Sequence, residues 1–478
     1  MRGGPLFFSV LTLLAVLAGG GVLFAWCSDG VRRGGLEELR LPVAVNRPPP
    51  SDAAGSGDFT GTLTTGPGAA PRPTALPLTG SWPQFRGPQR NNVAVYDQPL
   101  ARQWPAGGPP PLWRIPVGEG HAGAAIHQGR VYLVDYDRER QEDAIRCLSL
   151  ADGRDIWRYS YPVKVKRNHG MSRTVPAVND QYLVTLGPKC HVHCLEALTG
   201  RLIWKHDLVR EFGSVVPPWY AGQCPLIDGD LAILAPGGEP LVMALELATG
   251  REVWRTPNPG GWQMTHSSIV PAELGGVRQY LYCGSLGVVG VAAADGRTLW
   301  RWPEWKISTT VPSPVPVGSD RVFFTGGYGA GSQMVRLVAR EQGFAVEELY
   351  RRPPTVFSAD QQTPILYHDH LYAVLPDGRL ACMDLQGTVV WTSPSGVTFG
   401  LGPLLVINDL LFVLQDQKCE LVMVEASPVA YRELARAKVL GGHDAWAPMA
   451  FADGRLILRD LTEMVCLDLS AAGAVAER

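Results

Sequence analysis

The segment Thr199-Gly200-Arg201-Leu202-Ile203-Trp204 is one of four closely similar hexapeptides in this chain. The other three also end in tryptophan and span residues 152–157, 249–254 and 295–300. Successive tryptophans of the four lie 47, 50 and 46 residues apart. A period of about 40 to 50 residues, with one tight turn and one large aromatic residue per unit, is typical of a β-propeller.

A fifth tryptophan extends the series. Trp391 follows Gln386-Gly387 and lies about two periods beyond Trp300, a period being roughly 46 residues here. We therefore expect that one repeat between these two tryptophans has lost its aromatic residue.

A second landmark counts the blades independently. Eight apolar or near-apolar pairs recur inside short β-type runs: Val131-Tyr132, Gln181-Tyr182, Leu231-Ala232, Leu281-Tyr282, Val322-Phe323, Leu371-Tyr372, Leu411-Phe412 and Leu456-Ile457. Proline opens the preceding run in most repeats, where its missing N–H does least harm: Pro176, Pro225, Pro314, Pro364, Pro403 and Pro448. The sequence predicts an all-β fold, an eight-bladed propeller with four-stranded antiparallel blades.

The two ends of the repeat region predict how the ring closes. The last unit ends at Cys466-Leu467-Asp468-Leu469, with no turn and no tryptophan after it. An unmatched strand signal, Leu112-Trp113-Arg114-Ile115, precedes the first complete unit. We predict that this N-terminal strand completes the eighth blade, with Trp113 paired beside Cys466, because closure removes an open sheet edge.

The segments outside the repeats differ from them in composition. Residues Leu6–Trp26 carry no charge and are long enough to cross a bilayer as one hydrophobic helix. We therefore predict that residues 1–28 form a transmembrane anchor or a signal peptide, with a lipidated Cys27 as a third alternative. Residues 29–80, rich in Pro, Gly, Ser and Thr, are predicted to be a disordered linker. An N-terminal lead segment (81–112), the propeller (113–470) and a tail (471–478) follow.

The charge balance excludes one class of partner. The formal net charge is −2, so there is no global electrostatic basis for binding nucleic acid. We expect a monomeric propeller that is attached to the membrane by its N-terminal helix.

The repeated [Asp/Thr]-Gly-Arg-x-(Ile/Val/Leu)-Trp units resemble those of the pyrroloquinoline-quinone (PQQ)-like β-propeller family. The segment Ser81-Trp82-Pro83-Gln84-Phe85-Arg86-Gly87-Pro88 resembles the opening of many secreted bacterial proteins with such propellers. In that family the tryptophan docks between adjacent blades. The resemblance therefore implies a structural role for six indoles: Trp113, Trp157, Trp204, Trp254, Trp300 and Trp391.

The resemblance leaves catalysis open, because the family contains both quinoprotein dehydrogenases and non-catalytic scaffolds. Similar dehydrogenases hold PQQ and Ca²⁺ at the propeller axis, commonly with a disulfide between adjacent cysteines. This chain has no Cys-Cys dipeptide and no Cys-x-x-Cys-His haem motif. We therefore expect no cofactor and no catalytic residues, and keep PQQ with calcium as the alternative.

Cysteine and histidine patterns also admit a metal interpretation. Four cysteines occupy the same repeat position, which favours small buried apolar residues over disulfides: Cys147, Cys194, Cys382 and Cys466. In Cys190-His191-Val192-His193-Cys194, the two histidines share one strand face and the cysteines share the other. A metal site would need further ligands, so we predict none. Residues 326–331 are glycine-rich, but no helix pattern follows them, and we interpret them as a long turn.

Residues just before the opening prolines should line one mouth of the central channel. The position four residues upstream collects His121, Ser172, Met264, Thr310, Asp360 and Asp444. The position two residues upstream collects Thr174, Gln223, His266, Gln362 and Trp446. This polar and aromatic set is a candidate surface for a ligand or partner, although a water-lined mouth that binds nothing is the favoured interpretation.

These observations favour a non-catalytic scaffold that mediates protein–protein interaction in the bacterial cell envelope. The predicted location is extracytoplasmic and membrane-anchored, in the periplasm or at the cell surface. Two alternatives remain: a PQQ-dependent oxidoreductase of the alcohol or sugar dehydrogenase type, and a protein that binds carbohydrate or another small ligand at the channel mouth.

Overall fold

Eight sheets surround a central axis in the computed structural model, which describes residues 59–66, 78–307 and 309–471. These residues form 35 strands, numbered in chain order, and one short helix, α1 (Leu208–Phe212). Each blade has four antiparallel strands, as the repeats predicted. The predicted helix Leu6–Trp26 lies outside the described residues, within which no helix is long and apolar enough to cross a membrane.

The blades follow one another along the chain. Blade 1 consists of β5 (Ala125–His127), β6 (Arg130–Asp137), β7 (Glu142–Ser149) and β8 (Asp155–Pro162), and blade 2 of β9 (Ala177–Val178), β10 (Tyr182–Leu186), β11 (His191–Glu196) and β12 (Leu202–Asp207). Blade 3 consists of β13 (Leu226–Asp228), β14 (Leu231–Leu234), β15 (Pro240–Glu246) and β16 (Glu252–Pro257). Blade 4 consists of β17 (Val270–Leu274), β18 (Val277–Gly284), β19 (Gly287–Ala292) and β20 (Thr298–Trp302). Blade 5 consists of β21 (Val315–Val317), β22 (Arg321–Gly326), β23 (Gly331–Ala339) and β24 (Phe344–Arg352). Blade 6 consists of β25 (Ile365–Tyr367), β26 (His370–Val374), β27 (Leu380–Asp384) and β28 (Val389–Thr392). Blade 7 consists of β29 (Leu404–Ile407), β30 (Leu410–Gln415), β31 (Glu420–Glu425) and β32 (Glu433–Lys438).

Blade 8 joins the two ends of the ring. Its strands are β33 (Ala450–Ala452), β34 (Arg455–Arg459), β35 (Glu463–Asp468) and β4 (Pro111–Pro116). Cys466 lies directly opposite Trp113 in the β35–β4 pair. The predicted closure by an N-terminal strand is therefore confirmed at the residue that the sequence indicated.

The indoles of the repeat dock between blades. The Trp157 indole donates a hydrogen bond of 3.2 Å to the carbonyl of Ala197 in blade 2, and Trp204 donates one of 2.7 Å to Leu247 in blade 3. Four turn glycines have a positive φ and lie against the indole of the preceding blade: Gly153, Gly200, Gly250 and Gly296. A Cβ on Gly200, for example, would lie 2.6 Å from Trp157. Glycine is needed there both for the turn and for the close approach.

A small residue on the third strand faces each tryptophan. The cross-strand partners of Trp113, Trp157, Trp204, Trp254, Trp300 and Trp391 are Cys466, Cys147, Cys194, Ala244, Gly290 and Cys382. All eight cysteines in the described part of the chain are buried and unbridged. The four cysteines at the repeat position are thus small residues that leave room for an indole.

Two blades lack this tryptophan, and the expected single loss needs correction. Blade 5 has Tyr350 at the position, opposite Met334, so the aromatic residue is changed rather than lost. Blade 7 has Ala435, opposite Met423. The outer strand of blade 8 comes from the N-terminal segment, so blade 8 has no connecting turn on which an indole of blade 7 would pack.

Two strands of the lead segment enter the propeller. β2 (Ser81–Trp82) pairs with the innermost strand of blade 1, and β3 (Val93–Ala94) pairs in parallel with the innermost strand of blade 7. Residues 81–94 of the lead segment therefore belong to the propeller's centre and are called the axial segment below.

A further strand lies within the stretch that was predicted to be a linker. β1 (Thr62–Thr65) pairs antiparallel with β8 at the outer edge of blade 1. A low content of apolar residues does not prevent this strand from forming, because an open sheet edge supplies backbone partners to a segment of any composition. The remainder of the linker prediction falls largely on residues that the structure does not describe.

Candidate functional site

The axial segment crosses the channel near the residues that open the innermost strands. The Arg86 guanidinium donates a 2.9 Å hydrogen bond to the carbonyl of Pro364, which opens blade 6. The Arg90 guanidinium donates a 3.0 Å bond to Pro225, which opens blade 3. On the blade 7 side, Asn92 Nδ2 donates to Leu404 over 3.1 Å. One short segment therefore binds blades on different sides of the axis.

Both arginines of this segment are buried without a carboxylate partner among the described residues. Arg86 is 3% exposed and Arg90 is 2% exposed. Burial lowers the pKa of Arg90 to about 10, and burial together with the nearby Arg90 charge lowers the pKa of Arg86 to about 9. Both groups remain cations at neutral pH, and backbone carbonyls take the place of counter-ions. The Nε atoms of both arginines are buried and have no hydrogen-bond partner within the described ranges.

The structure joins several of the predicted mouth residues. The rings of His121 and Trp446 stack with centroids 4.5 Å apart. Gln362 Nε2 donates a 3.2 Å hydrogen bond to the carbonyl of Trp446, and the amide of His121 donates to the carbonyl of Ser172 over 2.7 Å. Residues from the loops before blades 1, 2, 6 and 8 thus form one connected cluster.

Other predicted mouth residues bind their own surroundings. Thr174 Oγ1 donates to the carbonyl of Leu186, Gln223 exchanges two hydrogen bonds with Ala235, and Met264 is part of a hydrophobic core. The remaining four have these partners: the Thr310 carbonyl accepts from the His266 amide, Asp360 Oδ1 accepts from the Tyr328 amide, and Asp444 Oδ1 accepts from Gln417. Thr174, Gln223 and Met264 therefore position the mouth rather than face into it.

Sequence alignment missed the guanidinium at this mouth. Arg173 lies between two nominated positions, and its Nε and Nη2 donate to the carbonyls of Trp219 and Asn168, each over 2.6 Å. It forms no ion pair with a described carboxylate, and burial lowers its pKa to about 10. Its offset of three residues from Pro176 placed it outside both alignment columns.

Both mouth histidines are neutral at physiological pH. Burial lowers the pKa of His121 to about 3, and the charges of Arg173 and Arg459 contribute to this shift. Burial, together with Arg173, lowers the pKa of His266 to about 4 despite a 2.8 Å hydrogen bond to the carbonyl of Tyr220. The mouth therefore combines uncharged imidazoles, one stacked indole, the Arg173 cation and the carboxyl groups of Asp360 and Asp444.

The histidine pair of β11 lies elsewhere, between blades 1 and 2. The Phe59 ring stacks on His191 at 4.5 Å and contacts the edge of His193 at 5.5 Å. Burial lowers the pKa of His191 to about 4 and that of His193 to about 3. Within the described ranges, no three His, Cys, Asp or Glu side chains group as metal ligands. The shared strand face predicted for the histidines is occupied by an aromatic contact.

The glycine-rich residues 326–331 form the turn between β22 and β23, with Gly326 paired to Gly331. The predicted turn is confirmed, and no helix follows it in the described chain.

The centre of the channel does not fit a quinone cofactor with calcium. Backbone and side chains of residues 83–92 span the axis, and the Pro83 carbonyl accepts a hydrogen bond from Val178 of blade 2. The buried guanidiniums of Arg86 and Arg90 belong to this segment and would repel Ca²⁺.

Comparison with known proteins places the chain in a family. The model described as outer membrane protein assembly factor BamB matches residues 141–393, more than half of the chain. No curated protein matches the sequence significantly.

Solved structures share the architecture at low sequence identity. The quinohemoprotein alcohol dehydrogenase from Comamonas testosteroni superposes with a TM-score of 0.57 and 11% identity, covering 84% of this chain and 81% of that one. A europium-containing methanol dehydrogenase superposes with a TM-score of 0.54 and 12% identity, covering 79% of this chain and 89% of that one. BamB from Moraxella catarrhalis gives a TM-score of 0.48 and 12% identity, covering 77% of this chain and 100% of that one. Such identities show the fold alone, whereas the repeats and the family match together establish that this chain belongs to the PQQ-like β-propeller family described as outer membrane protein assembly factor BamB.

Proposed function

We propose that this protein is a non-catalytic propeller scaffold that binds protein partners in the bacterial cell envelope. The axial segment is the observation that carries the proposal. Because residues 81–94 fill the centre of the channel, the faces and blade edges remain as the surfaces for recognition. The family description as an outer membrane protein assembly factor supports an extracytoplasmic location, with the predicted helix Leu6–Trp26 as the membrane attachment.

The outer strands provide suitable binding surfaces. β24 and β32 carry mostly exposed or half-exposed side chains, and each ends its sheet. Edge strands present unpaired backbone groups that an extended segment of another protein can pair with.

A cofactor experiment discriminates the scaffold from the dehydrogenase. The purified protein is incubated with PQQ and Ca²⁺, then assayed for bound quinone absorbance and for dye reduction with alcohols and sugars. We expect neither bound quinone nor turnover. Stoichiometric quinone together with turnover would overturn the proposal.

Site-specific photo-crosslinking in cells tests the scaffold directly. A photoreactive residue replaces Tyr328, which is 47% exposed on a turn next to Asp360, or Val429, which is 87% exposed. We expect discrete protein adducts from at least one position. Adducts from neither position, nor from probes along the exposed blade edges, would contradict a scaffold.

A second candidate function rests on the channel mouth. The stacked rings of His121 and Trp446, with Arg173 nearby, suit a small ligand that has a flat apolar face and an anionic group. Tryptophan fluorescence titrated with neutral sugars and with uronic acids tests it. A saturable change that the Arg173→Gln variant abolishes for the uronic acids alone would support it, and no saturable change with either class would dismiss it.

A further inference from the structure

The outer edge of blade 1 already holds an extended peptide, which is part of this chain. β1 pairs with β8 over four residues, from Thr62 opposite Ser160 to Thr65 opposite Trp157. The amide of Gly66 extends the pairing with a 2.8 Å hydrogen bond to the carbonyl of Ile156. Residues 59–66 are called the edge segment below.

Backbone contacts dominate this pairing. All four side chains of β1 are exposed, and the one large apolar residue among them, Leu63, is 39% exposed and lies near Gly200 of blade 2. Thr64 Oγ1 contributes a weak bond to the carbonyl of Arg158, at 3.4 Å. Pairing of this kind accepts many sequences, because the ladder uses groups that every residue except proline possesses.

Specificity is concentrated in one aromatic anchor. Phe59 lies three residues before the first paired position and stacks on His191, with ring planes inclined by only 10°. Tyr161 and His193 form the walls of this anchor site. Lys205 Nζ lies 4.3 Å from the centroid of the Phe59 ring and donates a hydrogen bond to Thr60 Oγ1.

The chemistry of the anchor site selects an aromatic residue. Both histidines are neutral at physiological pH, as their lowered pKa values require, and so present flat, weakly polar rings. An ammonium group above a ring is attracted to its π electrons, which aliphatic side chains lack. The backbone edge together with the anchor site therefore recognises an aromatic residue followed, three positions later, by an extended stretch.

We propose that the blade 1 edge is a peptide-binding site for an extended segment of a partner protein, and that the edge segment occupies it in the resting molecule. The partner segment carries an aromatic residue three positions before its first paired residue, as the edge segment does. Release requires opening a short ladder, the ring contacts of Phe59 and the hydrogen bonds that Lys205 and Tyr159 form with Thr60 and Gly61. A matching strand can compete because it can form the same contacts. The inference rests on the proposed scaffold function and names one of its binding surfaces.

A peptide-binding measurement on the full-length protein tests this. A synthetic peptide of residues 59–66, labelled at its C-terminus, is titrated by fluorescence anisotropy against the wild type and against Phe59→Ala. The variant should bind the peptide at least about tenfold more tightly, because its own segment no longer competes effectively. Equal affinity for both chains, or binding to neither, would overturn the proposal.

Two controls distinguish the contribution of the aromatic anchor from that of the backbone pairing. A peptide with alanine at the phenylalanine position should lose about tenfold in affinity for the Phe59→Ala chain, and adding His191→Ala to that chain should lower affinity for the unchanged peptide similarly. The Thr62→Ala chain should behave as wild type, because this small side chain is exposed and the backbone pairing with Ser160 does not depend on it. If the alanine peptide binds equally well, the aromatic requirement is wrong.

Hydrogen exchange of the wild type tests whether the edge segment opens. The paired amides of β1 should exchange faster than those of β7 in the same sheet. Protection equal to β7 would make the segment a permanent strand and contradict competition. If β1 is as protected as β7, the proposed peptide site is refuted but partner binding at other surfaces is not. Quinone turnover would instead refute the scaffold function without affecting peptide binding.

Discussion

The tryptophans that dock between blades, called the interblade clamps below, and the axial segment are both buried. The clamps are apolar, whereas the axial segment is buried through charged side chains. Trp157 and its counterparts fill space with large apolar rings that repeat around the ring of blades. Arg86 and Arg90 are charged, occur once, and bind carbonyls of blades distant in sequence. The comparison shows that a repeated apolar contact leaves a period in the sequence, whereas a unique polar contact leaves none.

The clamps also differ among themselves. Trp254 packs on Gly296 with its Nε1 unpartnered, and Trp300 turns to Gln279 of its own blade, since blade 5 continues as a longer hairpin. Packing of the indole is thus kept from blade to blade more strictly than the hydrogen bond that its Nε1 forms. Burial of the indole carries most of the stabilisation, consistent with the area of a tryptophan side chain.

Removing a buried clamp should have the largest effect. Trp157→Ala deletes a side chain that is 1% exposed, so we expect the free energy of unfolding to fall by about 4 kcal/mol in urea denaturation. Trp391→Ala is the matched control, because Trp391 is only partly buried, and should cost about 2 kcal/mol. Equal losses would show that burial does not set the clamp's contribution.

Breaking the axial segment should have the next largest effect. Arg90→Ala leaves the carbonyl of Pro225 without its donor and creates a cavity, for an expected loss of about 3 kcal/mol in urea denaturation. Arg90→Met restores much of the volume and also removes the buried charge, so about 1 kcal/mol should remain. If Arg90→Met costs as much as Arg90→Ala, hydrogen bonding rather than packing holds the segment.

Installing the missing clamp should destabilise the protein less. Ala435→Trp faces Met423 rather than a small residue and has no turn glycine in blade 8, so we expect overpacking to cost about 2 kcal/mol. Tyr350→Trp is the control, because Gly387 of the next blade already lies against this ring, and should change the melting temperature less. A stabilised Ala435→Trp variant would refute our explanation of why blade 7 lacks the indole.

The smallest effect concerns a buried acid that contrasts with the buried arginines. Asp143 is 1% exposed, and burial raises its pKa to about 8, although its carboxylate accepts a 2.6 Å hydrogen bond from Tyr161. Because the folded pKa exceeds the unfolded value, the proton stabilises the fold at low pH, and this stabilisation is lost as pH rises from about 4 to 8. Asp143→Asn should therefore be more stable than wild type by about 1 kcal/mol at pH 8 and nearly equal to it at pH 4. Melting curves across this range test the sign, and parallel curves would contradict the raised pKa.

Local residue types explain which parts of the site could be predicted. The loops before each opening proline were found by alignment, and four blades indeed contribute to one cluster around Trp446. Arg173 was missed because it lies three residues before Pro176, between the two positions that the alignment collected. Thr174 and Gln223 were nominated by their position two residues before the opening proline, but a polar side chain at that position can equally satisfy backbone groups of its own blade.

The sequence by itself determined the eight blades, the indole clamps and the closure at Trp113, because these depend on patterns that repeat along the chain. Only the tertiary structure decided that Arg86 and Arg90 cross the axis and that Phe59 covers His191. Those contacts join residues more than 100 positions apart through carbonyl groups and ring faces that any strand can present. Their location follows from the closed ring itself, which brings every innermost strand to one axis and leaves the outermost strands as edges.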